Sequence, residues 1–278
     1  MSVITQLPGN DSQGQPDMGA SQIRSREVQR SRDPFIDLVR AGALFVVVIW
    51  HWVFTSIRWA ADGPHVGNPV ASTPGMWTIT WILQVMPAFF IVGGFLHSTT
   101  LSGSDRPPAK TFWANRTKRL LLPVAPLLLI AATLIAVFTV TGRNDLVRGV
   151  ILVISPMWFL ATYLVCIAVA PMAQRLHDRF GLGAVAGGLV AALAIDWLRI
   201  GAGIGGALTG ALAFVTVWGT VHQLGFSLGA LRRASRRAQI TTAAVGYSLL
   251  GLAAALFAYP AAMVGLDGHK LSNMGPPT

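Results

Sequence analysis

Asp37, Arg40 and His51 stand in one apolar run that begins at Phe35. An ionisable group inside an apolar span costs about 2.5–3.5 kcal/mol on insertion scales, so each needs a reason to be there. Asp37 and Arg40 are three residues apart and can pair on one helix face. Arg40 and His51 are eleven apart. At about 100° per residue that spacing returns to within about 20° of the same direction, about 16 Å along the axis. All three therefore look toward one side of a helix. A neutral imidazole with a pKa of about 6.5 can take a proton from a hydroxyl. A guanidinium can hold a carboxylate or phosphate, or steady an oxyanion. The bland reading has Asp37 and Arg40 snorkelling to an interface, with His51 in an aromatic belt between Trp50 and Trp52.

A second cluster follows at Phe112-Trp113-Ala114-Asn115-Arg116-Thr117-Lys118-Arg119, directly before another apolar run. Arg116 and Arg119 share a helix face, an arrangement suited to bidentate capture of phosphate. The alternative is an ordinary basic anchor at the membrane surface. His97 closes an apolar run and reads as interfacial, while His222 lies within one and is a candidate site residue. Gln84, Thr162, Tyr163 and Gln223 read as makers of interhelical hydrogen bonds. Gly93-Gly94 permits close backbone approach, for helix packing or for a ligand. No His, Cys or carboxylate cluster has the spacing of a metal site, and nothing in the sequence asks for a resident cofactor.

These groups must be positioned by helices in lipid. The chain has 278 residues, 53% hydrophobic and only 12% charged. Soluble domains carry about 25% charged residues, so this chain has too few to cover a wet surface. Its net charge of +10 sits between apolar runs rather than on a face interleaved with aromatics, which excludes nucleic-acid binding. Runs of about 20 apolar residues predict seven spans: 35–59, 76–97, 120–141, 150–170, 183–200, 207–230 and 240–266. Asp33-Pro34 starts the first, with Asp as cap and Pro at the first helical position. Pro171 should follow the fourth span, and Pro260 should kink the seventh.

Basic residues are dense in the N-terminal tail and in the second, fourth and sixth connections, and sparse in the others. That alternation places the N-terminus in the cytoplasm. Residues 1–32 are expected to be a disordered basic cytoplasmic tail and 33–266 the transmembrane domain. Residues 267–278 are expected to be an extracytoplasmic end that starts a missing C-terminal part. The expected fold is thus an all-α, polytopic transmembrane helix bundle of about seven spans, shortened from about ten.

Taken together, these stretches resemble the integral-membrane acyltransferase family called type three. The resemblance rests on Asp37-Leu38-Val39-Arg40-Ala41 followed by His51, on Pro87-Ala88-Phe89-Phe90-Ile91-Val92-Gly93-Gly94-Phe95, and on Phe112 to Pro123 with its Arg-x-x-Arg. A weaker match is Met157-Trp158-Phe159-Leu160. The similarity is good over residues 33–172 and faint beyond. Where many members carry an acidic residue after that Trp, this chain has Ala161, Thr162 and Tyr163.

The resemblance implies an O-acyltransferase of the plasma or inner membrane. It would move an acyl group from cytoplasmic acyl-CoA to a hydroxyl of a carbohydrate, glycolipid or other cell-envelope acceptor. It implies His51 as base or acyl carrier, with Arg40 and Asp37 as partners. Arg116, Arg119, Trp113, Gly93, Gly94 and Phe95 would engage the acyl donor, with Trp158 and His222 as further site residues. Since His51 is toward the outer end and the arginine pair is inside, a narrow cavity should run between the first three spans. The rivals are a transporter or flippase for an anionic or lipid-linked solute, and an inactive shortened chain.

Overall fold

A computed structural model of the chain describes residues 33–53, 56–60, 63–67 and 73–256. The tail at 1–32, the end at 267–278 and Pro260 lie outside these residues. Helix α1 spans Pro34–Val53. Asp33 starts it as the sequence suggests: its Oδ1 accepts from the amides of Phe35 at 3.1 Å and Ile36 at 3.4 Å. The helix stops short of Trp59, and an antiparallel hairpin follows, β1 at Ser56–Ala60 and β2 at Gly63–Gly67, in register from Ser56 opposite Gly67.

Three prolines reset the next spans. The second begins with a 3-10 turn at Met76–Thr78 and a short α2 at Ile79–Ile82, then breaks before α3 at Val85–Leu101. Pro87 lacks an amide N–H and would clash with the carbonyl of Leu83 in a continuous helix, so the break falls there. The third is split into α4, Ala109–Leu121, and α5, Ala125–Val140, bent by 57° across Pro123. Helix α6 at Asn144–Ile154 ends at a 3-10 turn holding Pro156, and α7 runs Trp158–Phe180. The fourth span is therefore displaced along the chain from 150–170. Pro171 lies inside α7, where neighbouring helices can re-satisfy the backbone it frees.

Helix α8 covers Leu182–Asp196 and ends in a wide turn at Trp197–Gly201. Helices α9 at Ala207–Gly225, α10 at Leu228–Arg233 and α11 at Arg236–Leu256 complete the described chain. Among the described residues, four segments are long and apolar enough to cross a membrane, or five with the bent α4–α5 pair as one span. Helix α3, at 17 residues, is apolar but shorter. Among the described residues the architecture is a helical bundle with one short hairpin.

The centre of the bundle is α3, which packs on α1, α7, α9 and α10. Its crossing with α9 depends on glycine. A Cβ on Gly94 would overlap the His222 carbonyl, and one on Gly225 would overlap the Ile91 carbonyl. Small residues let membrane helices approach in this way, since lipid offers no hydrophobic drive between them. Two apolar clusters fill the core, one around Phe90, Cys166 and Trp218, the other around Leu101, Phe112, Ile167 and Ala170.

Candidate active site

Arg40 and His51 both meet α3, as their spacing requires, but at opposite ends of it. His51 lines a cavity of about 70 Å³ with Trp50, Gln84, Met86, Trp158 and Trp218. That is room for a few atoms, since one water needs about 10–15 Å³ by the same measure. The wall is aromatic, with the Trp158 and Trp218 rings 5.6 Å apart. His51 Nδ1 lies 2.7 Å from the Val47 carbonyl one turn earlier. A carbonyl only accepts, so Nδ1 carries the proton and Nε2 keeps its lone pair in the neutral ring. Trp218 is buried, and its Nε1 has no hydrogen-bond partner.

The opposite end of the α1–α3 seam holds a larger cavity of about 560 Å³, lined by Asp33, Asp37, Arg40, Phe95, Leu96 and Thr99. Asp37 and Arg40 share this wall without pairing: the ion pairs recorded among the described residues join Arg143 to Asp145 and Arg232 to Asp33. Both side chains are exposed to the cavity end of the helix, so neither needs the other to be solvated. On α1, between the residues that line the two cavities, Ala43 is buried. The expected single cavity between the first three spans is thus two cavities on α1 and α3. The bend at Pro123 carries α5 onto α6, and α7 and α9 take its place beside His51.

Arg116 and Arg119 share a helix but not an environment. Arg116 is half-buried, donates from Nη2 to Thr100 Oγ1 at 2.6 Å, and lies over the Phe112 ring at 5.8 Å. Arg119 is exposed. Trp113 tethers α4 to α7 by donating from Nε1 to the Ala168 carbonyl at 3.2 Å. Gly93 sits against the Tyr163 ring and Gly94 against α9, so both set helix spacing in the described structure.

The sequence reading named His222 as a candidate but missed its partner. His97 is not interfacial; it is 1% exposed, as is His222. His97 Nδ1 and His222 Nε2 are 2.9 Å apart, so one ring donates a proton to the other. Tyr163 faces both rings at 5.6 and 6.3 Å. Gln223 makes the expected interhelical bond, to the Ala173 carbonyl at 3.2 Å. Thr162 instead donates to the Trp158 carbonyl of its own helix.

Comparison with known proteins agrees with the motifs. The family model described as an acyltransferase domain matches residues 33–277. No curated protein and no solved structure matches the chain. With its apolar helices and a match over most of its length, this multi-pass membrane protein belongs to the type-three acyltransferase family.

Proposed function

We propose that the protein moves an acyl group from cytoplasmic acyl-CoA to a hydroxyl of a carbohydrate, glycolipid or other cell-envelope acceptor, in the cell membrane and with its N-terminus inside. The observation that carries this reading is the His51 Nδ1 bond to the Val47 carbonyl, which leaves Nε2 free to accept a proton beside an aromatic cavity. As the acceptor oxygen bonds to the thioester carbonyl carbon, Nε2 takes its proton. The C–S bond then breaks, and the imidazolium returns the proton to the departing thiolate. The same lone pair would serve if His51 carried the acyl group itself. The unpaired Trp218 Nε1–H is a donor for the carbonyl oxygen as it gains charge.

Arg116, held by Thr100, receives donor phosphate, with Arg119 as an outer cation. Trp113 and the two glycines act by fixing α4 and α3 around that path. Arg40 and Asp37 line the entrance cavity, and Phe95 forms part of its wall. To reach His51 the acyl arm has to part the α1–α3 packing at Ala43, which is buried between the two cavities. The broken helices lend the transporter reading no support, because Pro87 and Pro123 account for both breaks.

Incubation of the purified protein with radiolabelled acyl-CoA and cell-envelope extract tests the reading. Label joined covalently to a lipid or sugar is expected; label moved across a vesicle unchanged would favour the transporter. Mass spectrometry of envelope lipids and glycans from a deletion strain identifies the acceptor.

A further inference from the structure

A separate cavity of about 230 Å³ lies at the arginine-rich end of the bundle, walled by Leu101, Arg106, Pro108, Pro171, Gln174 and Arg175. It shares no wall residue with the cavities of Arg40 and His51. Two exposed guanidiniums reach it from different segments, Arg106 from the α3–α4 connection and Arg175 from α7. Neither is ion-paired among the described residues.

Ala109, the first residue of α4, is also in the wall. This helix has 13 residues, no side-chain cap and no acid in its first turn. Its free amides and the positive end of its dipole therefore remain available to an anion. Two cations and a bare helix N-terminus suit a phosphate.

Gln174 is an independent sign of a ligand. It is 4% exposed. Its amide N–H donates to Asp178 Oδ1 at 2.7 Å, while its Oε1 has no partner. Buried oxygens without a donor are rare, and this one calls for an N–H. A nucleobase amino group on a phosphorylated sugar meets both needs. The volume is below the roughly 300–1,000 Å³ of a whole ligand site, so it suits one end of a longer molecule.

We propose that this cavity is a phosphate subsite for the nucleotide end of CoA, with Arg106 and Arg175 on the ribose phosphate and Gln174 Oε1 accepting from the base. The assignment rests on the acyl-CoA reading above. Ala109 and Arg116 are seven residues apart on α4, about 10 Å along its axis. The donor would lie along α4, nucleotide at its start and acyl arm at Arg116. A phospholipid headgroup carries the same phosphate chemistry, and the test separates the two sources.

The full chain in neutral-lipid nanodiscs is titrated with CoA and with CoA lacking its ribose phosphate. Arg106→Gln and Arg175→Gln should each weaken CoA about tenfold, the scale of one lost charge-assisted hydrogen bond, and leave the dephospho form unchanged. Equal CoA binding by parent and variants would overturn the subsite while leaving the donor reading intact. If the parent binds no CoA, the donor reading fails, and native mass spectrometry from phosphatidic-acid nanodiscs decides. Loss of retained lipid in both variants would uphold the phosphate site with lipid as its source; equal retention would overturn it.

Discussion

His97 on α3 and His222 on α9 share a proton across 2.9 Å, at a crossing that closes through Gly94 and Gly225. Both rings are sealed from their surroundings. Removing one ring strands a nitrogen of the other, which costs about 1–3 kcal/mol in a buried site. His97→Ala and His222→Ala should each lower the thermal midpoint in detergent by several degrees. The double variant should fall by less than the sum, because the residues are coupled. Additive losses in a scanning fluorimetry series would refute the shared bond.

The α3–α9 contact itself should be intolerant of a single methyl. Gly94→Ala and Gly225→Ala place a Cβ into opposing backbone carbonyls, while Gly42→Ala meets nothing within 4 Å. Size-exclusion chromatography should show the first two aggregated or poorly expressed and the third monodisperse. Normal behaviour of Gly94→Ala would mean that the helices are farther apart than described.

Asp33 links the start of α1 to Arg232 of α10. The Arg232 guanidinium, by hydrogen bond, holds this carboxyl below its ordinary range, with the Ile36 and Phe35 amides adding to the effect. A depressed folded pKa stabilises above the unfolded value of 3.8 and is lost as pH falls through the lower folded one. The pair is exposed, so the effect is small and screened by salt. The melting-point gap between the parent and Arg232→Gln should be present at pH 6 and close below the unfolded pKa. A gap independent of pH would contradict the pairing.

Arg116 depends on Thr100 for its orientation. Thr100→Val should raise KM for acyl-CoA several-fold with little change in kcat, and Arg116→Gln should raise it about tenfold or more, as expected for a lost charge-assisted contact. Steady-state kinetics with a fixed acceptor reads both. An unchanged KM in Arg116→Gln would remove it from the donor path.

Much of the site's first half was legible in the sequence because it lies on one helix. The Asp33-Pro34 start and the Arg40–His51 spacing follow from helical period alone, and both residues do meet α3. The span limits were less legible. Hydropathy reads Pro87, Pro123 and Pro156 as apolar residues within runs, whereas each removes a backbone bond and moves a helix end. The histidine pair was hidden for a different reason. His97 and His222 are 125 residues apart, and in lipid the packed and lipid-facing sides of a helix are both apolar. Pattern therefore marks the helices without saying which faces meet. Adjacent glycines at 93 and 94 were the available signal for a close crossing, though not for its partner.

His51 carries the central claim. The direct measurement is acyl transfer from radiolabelled acyl-CoA by the parent and by His51→Gln, matched for folding by thermal midpoint and for donor binding. General acid–base catalysis by a positioned side chain contributes about 10²–10⁴ in rate, so His51→Gln should lose at least a hundredfold while still binding acyl-CoA. A His51→Gln protein that transfers label at the parent rate would contradict the account.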